Sequence, residues 1–269
     1  MKNIIFIAQL KGIGGVEKSL INLLKTIPQS EVTVTVAFFE GNKHIREEIP
    51  QNIKQIKIER VNNKSYLVRL LKSGHFLQAC KLGINCLIDR FAGTVSYKTM
   101  FSKTERYENI DGNYDCAISW AMPDAFENVF TLEKVKADKK IMLIHMDLNH
   151  YRMPKDSTHH LKGFDYFYCV SKACKRAFVN RLPELSDKAT VFYNVINKES
   201  IVNLYKSEVS NIRRKNRFTI VSCGRLAKEK RPLQGVEICK ELVKRGYSNI
   251  CWYWIGDGVL RQQVLEKIK

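Results

Sequence analysis

The sequence lacks the features that mark several large classes of protein. It has eight cysteines, but no two are spaced as CxxC, so we expect buried free thiols in a reducing cytoplasm rather than disulfides or zinc. No apolar run is long enough to span a bilayer, which leaves only peripheral contact with a membrane. A P-loop signature, internal repeats and low-complexity tracts are missing as well.

Acidic residues are scarce relative to basic ones. The 27 acids face 45 lysines and arginines, which gives a net charge of +18. Such an excess implies an anionic partner: nucleic acid, a phosphorylated ligand or an anionic membrane surface. The basic residues are spread along the chain rather than gathered in a helix-turn-helix or RNA-binding motif, so specific nucleic-acid binding is the weaker alternative.

Alternating strand and helix patterns predict an α/β fold, because apolar runs of strand length are separated by segments with helical periodicity. A helix is expected over residues 16–26, and another begins near Lys172 with Ser171 as its N-cap. The basic region 64–107 departs from the pattern. It is either an amphipathic helix pair with a solvated face or a surface for anionic lipid. The candidate strands are 3–9, 31–39, 53–61, 115–120, 140–145, 164–171, 190–194, 218–223 and 250–255.

Two groups of residues at predicted strand ends in the first part of the chain have chemical potential. Gly14 and Gly15 lie between a strand and a helix, where free backbone amides can bind an anion, although taken alone they fit a simple tight turn better. His145 closes a predicted strand, with Asp147 two residues later. In a parallel sheet this position faces the ligand cleft, and a neutral imidazole there can contact a sugar hydroxyl. The alternative is a partly buried structural histidine.

The clearest signal lies near the end of the chain. A predicted strand ends in Gly224-Arg225, a basic loop with Lys230 follows, and the next predicted strand ends in Gly256-Asp257-Gly258. Arg225 as a bidentate fork and Lys230 as a point charge suit one diphosphate at a strand end. Solvated surface charge is the alternative.

Taken in order, these segments resemble the family 4 retaining glycosyltransferases of the GT-B fold. The resemblance covers nearly the whole chain, although residues 64–107 match only in character. The residues that carry it are Gly14-Gly15-Val16-Glu17, His145 with Asp147, the segment 164–171, Asn194-Val195-Ile196-Asn197, Gly224-Arg225-Leu226 with Lys230-Arg231-Pro232, and Gly256-Asp257-Gly258.

The resemblance implies two Rossmann-like domains and transfer of a hexose-type sugar from a nucleotide-sugar donor, with retention at the anomeric carbon. His145 would contact the donor sugar, with Asp147 beside it as the second catalytic candidate. Arg225 and Lys230 would neutralise the departing diphosphate, so that neither metal nor cofactor is required. The implied acceptor is a glycan, expected to be lipid-linked, at the cytoplasmic face of the membrane in capsule-type polysaccharide synthesis. The donor-binding candidates are Gly14, Gly15, Asn194, Gly224, Arg225, Lys230 and Gly256.

The sequence also departs from the family pattern. Tyr193 and Val195 replace the proline and glycine that usually flank the asparagine, and the pair of donor-binding glutamates found in the family has no counterpart before Lys269. We therefore expect an acceptor-side domain over 1–200, a connection over 201–216 and part of a donor domain over 217–269. On this interpretation the chain is inactive alone; a non-catalytic sugar-nucleotide-binding remnant is the alternative.

Overall fold

The computed structural model describes residues 1–12, 14–60, 97–151, 153, 157–207 and 217–269. The chain divides into two compact units, Met1–Lys198 and Glu199–Lys269. Most of the basic region 64–107 and the second half of the predicted connection lie outside the described residues.

The first unit is built on a seven-stranded sheet, and every strand in it is parallel to its neighbours. Its order is β3-β2-β1-β4-β5-β6-β7, so the order reverses between β1 and β4. This confirms the predicted α/β class. The strands are β1 Lys2–Leu10, β2 Val32–Gly41, β3 Lys54–Lys57, β4 Ile110–Trp120, β5 Val135–Ile144, β6 Tyr166–Cys169 and β7 Ala189–Val191.

Helices cover both faces of this sheet. Along β1, Phe6 packs into a core with helix α1, while Ile5 packs into a second core on the opposite face, because successive side chains of a strand alternate. The helices of the unit are α1 Gly15–Thr26, α2 Lys43–Glu47, α3 Tyr97–Thr104, α4 Phe126–Lys134, α5 Ser157–Leu161 and α6 Lys172–Arg181. Ser171 caps α6 as predicted, since its hydroxyl accepts a hydrogen bond from the Cys174 amide at 3.0 Å.

Several element boundaries differ from those predicted. Strand β5 begins at Val135 rather than at residue 140, because backbone pairing with β4 continues through an exposed, charged stretch that no apolar pattern reveals. Strand β7 ends at Val191 rather than at residue 194. Helix α7, Lys198–Ser207, occupies the first part of the predicted connection 201–216. Glu199 in its first turn and Lys206 in its last complement the helix dipole.

The second unit contains two parallel strands, β8 Phe218–Cys223 and β9 Ile250–Ile255, joined by helix α8, Pro232–Lys244, and followed by α9, Arg261–Ile268. Trp252 and Trp254 line a cavity of about 230 Å³ with residues of α8 and α9. Within its described residues, only Leu226, Pro232 and Val264 are buried. Phe218 and Val221 of β8 are 68% and 57% exposed, so this unit has little core.

Candidate functional site

The residues of interest in the first unit lie at one edge of the sheet. Strand β4 pairs with both β1 and β5, and all three run in the same direction. Their carboxyl ends therefore bring together the glycine loop after β1, Trp120 at the end of β4 and His145 after β5. The sheet order reverses at β1 and β4, and such a reversal is where α/β sheets open a crevice for ligands.

The glycine loop already holds an anion, which is the carboxylate of Glu17. Its Oε1 accepts a hydrogen bond from the Gly12 amide at 3.4 Å, and its Oε2 accepts one from the Gly14 amide at 3.2 Å. A Cβ on Gly14 would lie 2.7 Å from Oε2, whereas a Cβ on Gly15 would meet nothing within 4 Å. A side chain at position 14 would therefore displace the Glu17 carboxylate from the loop, whereas one at position 15 would meet open space.

Trp120 connects the start of α1 to His145, a role that sequence reasoning missed. The indole is 2% exposed, and its Nε1 donates a hydrogen bond to the Val16 carbonyl at 3.0 Å. Its ring lies 5.1 Å from the His145 ring, centroid to centroid, at an angle of 53°. A tryptophan as the last residue of a strand is the one sequence signal that pointed here.

His145 is held as a neutral imidazole. Burial lowers the pKa of its side chain from 6.5 to about 4. Its Nε2 atom is buried and has no hydrogen-bond partner among the described residues. A buried polar atom without a partner is costly, so it offers a ready contact for a ligand hydroxyl.

Asp147 has a local structural task. It is the N-cap of the short 3₁₀ turn Leu148–His150, and its Oδ1 accepts a hydrogen bond from the Asn149 amide at 2.9 Å. The side chain is exposed. Asn194 is also exposed and lies beyond the end of β7.

A buried carboxylate paired with a residue at the end of β1 was not anticipated either. Glu127 of α4 is 4% exposed, and its Oε2 accepts a hydrogen bond from the Gln9 side-chain amide at 2.9 Å. Burial raises the pKa of this carboxyl group. Because Gln9 and Glu127 are separated by more than a hundred positions, no local pattern in the sequence links them.

In the second unit, two glycines let the ends of β8 and β9 meet. Gly224 donates its amide to the Ile255 carbonyl at 3.0 Å, and Leu226 donates to the Asp257 carbonyl at 2.9 Å. Gly256 has a φ of +151°, and a Cβ there would lie 2.0 Å from the Gly224 carbonyl oxygen. A side chain at position 256 is therefore excluded while the two strand ends remain in contact.

The two residues predicted to bind a diphosphate, Arg225 and Lys230, lie beside these strand ends. Arg225 pairs with Glu229 at 2.9 Å, with the two side chains 77% and 53% exposed. Lys230 is exposed and makes no ion pair within the described parts of the chain. Its aliphatic stem passes about 3.8 Å from the position of a Cβ on Gly224. Both cationic groups are thus accessible from solvent beside the strand ends, and Arg225 is engaged by an internal carboxylate.

Within the described residues, metal-binding clusters and membrane-spanning helices are both absent. No group of three or more His, Cys, Asp or Glu side chains is placed there to hold a metal ion. Nor does that part of the chain contain a helix long and apolar enough to cross a bilayer.

Comparison with protein-family models finds no match, and comparison with curated proteins finds none either. Among solved structures, the chain is similar to Anabaena HepE in complex with UDP-glucose, with a TM-score of 0.57 and 15% identity over 100% of this chain and 64% of HepE. It is also similar to TarM, with a TM-score of 0.59 and 12% identity over 100% of this chain and 74% of TarM.

A TarM variant from S. aureus, crystallised with fondaparinux, α-GlcNAc-glycerol and UDP, gives a TM-score of 0.58 at 11% identity, covering 100% of this chain and 75% of that one. The chain spans slightly less than two thirds of the length of HepE. At such identities the likeness shows the fold alone, and that fold is α/β of the GT-B type.

Proposed function

We propose that the protein is a glycosyltransferase that moves a hexose-type sugar from a nucleotide-sugar donor to a glycan acceptor. The observation that carries the proposal is the unpartnered Nε2 of the neutral His145. It lies at the sheet edge beside a loop whose amides bind a carboxylate. A neutral imidazole can donate to or accept from a sugar hydroxyl without introducing a buried charge. The crystallised complexes of HepE with UDP-glucose and of TarM with UDP support a donor of this class.

The second unit supplies the groups suited to a leaving diphosphate. Arg225 and Lys230 carry positive charge beside the strand ends that meet at Gly224 and Gly256. Positive charge placed where negative charge develops stabilises the transition state, as a metal ion does in other enzymes. The proposal therefore requires no metal. Retention at the anomeric carbon and donor contacts from Gly14, Gly15 and Asn194 belong to the same proposal.

The acceptor that we propose is a lipid-linked glycan of a capsule-type surface polysaccharide, met at the cytoplasmic face of the membrane. The net charge of +18 supports attraction to anionic lipid and to pyrophosphate-linked carriers. Flotation with anionic and neutral vesicles tests the membrane part. Binding should favour the anionic vesicles and fall as salt is raised, and equal binding to both would contradict it.

The function is tested by incubating the purified protein with UDP-glucose and glycan acceptors, then measuring UDP release and the anomeric configuration of the product by NMR. Transfer that is lost in His145→Ala would support the proposal and would contradict the expectation that the chain is inactive alone. Binding of UDP-glucose without transfer would favour the non-catalytic alternative. Absence of both binding and transfer, with binding of nucleic acid that UDP does not compete, would overturn the proposal.

A further inference from the structure

The backbone on both sides of His145 is bonded to one sulfur atom. The Cys174 Sγ lies 3.1 Å from the Ile144 carbonyl oxygen and 3.2 Å from the Met146 carbonyl oxygen. These are the residues immediately before and after the histidine, so the thiol spans its peptide unit. Cys174 is 5% exposed, which means that water does not compete for these contacts.

The sulfur is itself firmly placed. Cys174 lies in the first turn of α6, where its amide donates to the Ser171 hydroxyl at 3.0 Å. A second tie joins the same segments, since the Val170 amide donates to the Ile144 carbonyl at 3.2 Å. These hydrogen bonds attach the end of β5 to the turn between β6 and α6. Among the described contacts of this group, only the one from the Cys174 sulfur also reaches Met146.

Cys169 adds a second thiol to this arrangement. It is completely buried, and its hydrogen bond to Cys174, together with burial, raises the pKa of Cys169. The same hydrogen bond, with the nearby backbone of Val170 and Met146, lowers the pKa of Cys174. As a thiol, Cys174 shares its one S–H between the two carbonyls in a bifurcated hydrogen bond, and as a thiolate it accepts from the backbone of Met146. The sulfur thus has a bonding partner beside His145 in both protonation states.

We propose that Cys174 is a positioning residue for His145: its sulfur fixes the backbone on both sides of the histidine and so keeps the imidazole against Trp120, with a buried and unpartnered Nε2 available to a ligand. The inference rests on the proposed function only for the identity of that ligand. A serine at this position would reach less far, because the C–O bond is shorter than C–S, so it would contact one carbonyl rather than both.

The test compares Cys174→Ala, Cys174→Ser and a control, Cys116→Ala, in the full chain with isotopically labelled histidine. Cys116 is a half-buried cysteine of β4, so its variant loses the same thiol away from His145. NMR follows the His145 ring through a pH titration, with His145→Ala providing the assignment.

In Cys174→Ala we expect the pKa of His145 to rise from about 4 toward the ordinary value of about 6.5, because water gains access to the ring. Cys174→Ser should give a smaller rise, and Cys116→Ala should leave the titration unchanged. An unchanged titration in folded Cys174→Ala would overturn the proposal. If that variant does not fold, a titration of Cys174→Ser identical to that of the wild type would overturn it instead.

The readout requires no sugar donor. A shifted His145 titration in a protein that shows no affinity for UDP-glucose would leave the positioning role standing and would remove the proposed function.

Discussion

Replacing Arg225 with alanine should weaken binding of UDP, because the proposed function assigns this guanidinium, beside the strand ends of the second unit, to the diphosphate. A hydrogen bond between charged groups contributes about 1.5–3 kcal/mol. Arg225 must first leave Glu229, its exposed partner at 2.9 Å, and such pairs are worth about 0.2–1 kcal/mol. The net loss in Arg225→Ala is therefore about 0.5–2.8 kcal/mol, or roughly 2- to 110-fold in Kd.

The same reasoning fixes the sign of a second substitution. Glu229→Gln removes the internal competitor while keeping Arg225, so it should tighten UDP binding by roughly 1.4- to 5-fold, the equivalent of the ion pair that is no longer broken. A loss of affinity in this variant would show that Glu229 orients Arg225 rather than competing for it.

Calorimetry with UDP measures these effects, and the chain offers a matched control. Arg245 pairs with Glu241 at 2.8 Å, four residues away in sequence, and the two side chains are 69% and 53% exposed. Arg245 follows the far end of helix α8, which is about 20 Å long. Its distance from the start of that helix therefore exceeds the Debye length of about 8 Å at physiological salt, and its charge is screened from a ligand bound there. Arg245→Ala should leave Kd unchanged. Equal losses in Arg225→Ala and Arg245→Ala would refute the assignment and indicate long-range charge alone.

Three further predictions concern the fold that carries the site. Glu17→Gln should lower the free energy of unfolding by about 1 kcal/mol in urea titrations, because the loop amides lose a charged acceptor at a helix start; an unchanged midpoint would contradict this. For His145, the folded pKa of about 4 lies below the ordinary 6.5, so its contribution to stability is complete above pH 6.5 and falls by up to about 3 kcal/mol toward pH 4. His145→Gln should flatten that part of the stability curve, and parallel curves would exclude the effect. In hydrogen exchange, amides beyond residue 217 should exchange faster than those of β1 and β4, because so few side chains of the second unit are buried; comparable protection would contradict this.

The parts of the fold that could be predicted are those with local signals. The apolar runs of β1 and of the second half of β5, and Ser171 before α6, each satisfy a short-range rule, and each is found where it was predicted. The first half of β5 could not be predicted, because its backbone pairs with β4 while its side chains remain exposed and charged.

The candidate site divides in the same way. The positions of His145 and Arg225 after strands are local properties, and so is the spacing of Arg225 and Glu229, two opposite charges four residues apart. The contacts of Trp120 with Val16 and of Cys174 with Met146 join separate segments of the chain. Such contacts are decided by packing in three dimensions, and a single sequence does not display them.

The indole of Trp120 lies between the first turn of α1 and the His145 ring, the two places where the proposed donor would be held. One end is bonded to the carbonyl of Val16, in the first turn of the helix that carries Glu17, and the face of the ring lies against His145. The indole is a rigid ring. If the Glu17 carboxylate were displaced and the first turn of α1 shifted, the ring face that contacts His145 would shift with it. If the proposed function holds, occupation of the glycine loop and contact with the sugar would therefore be coupled through this side chain. The other two tryptophans, Trp252 and Trp254, belong to the second unit, so in a variant with both replaced by phenylalanine the indole fluorescence would report on Trp120 alone.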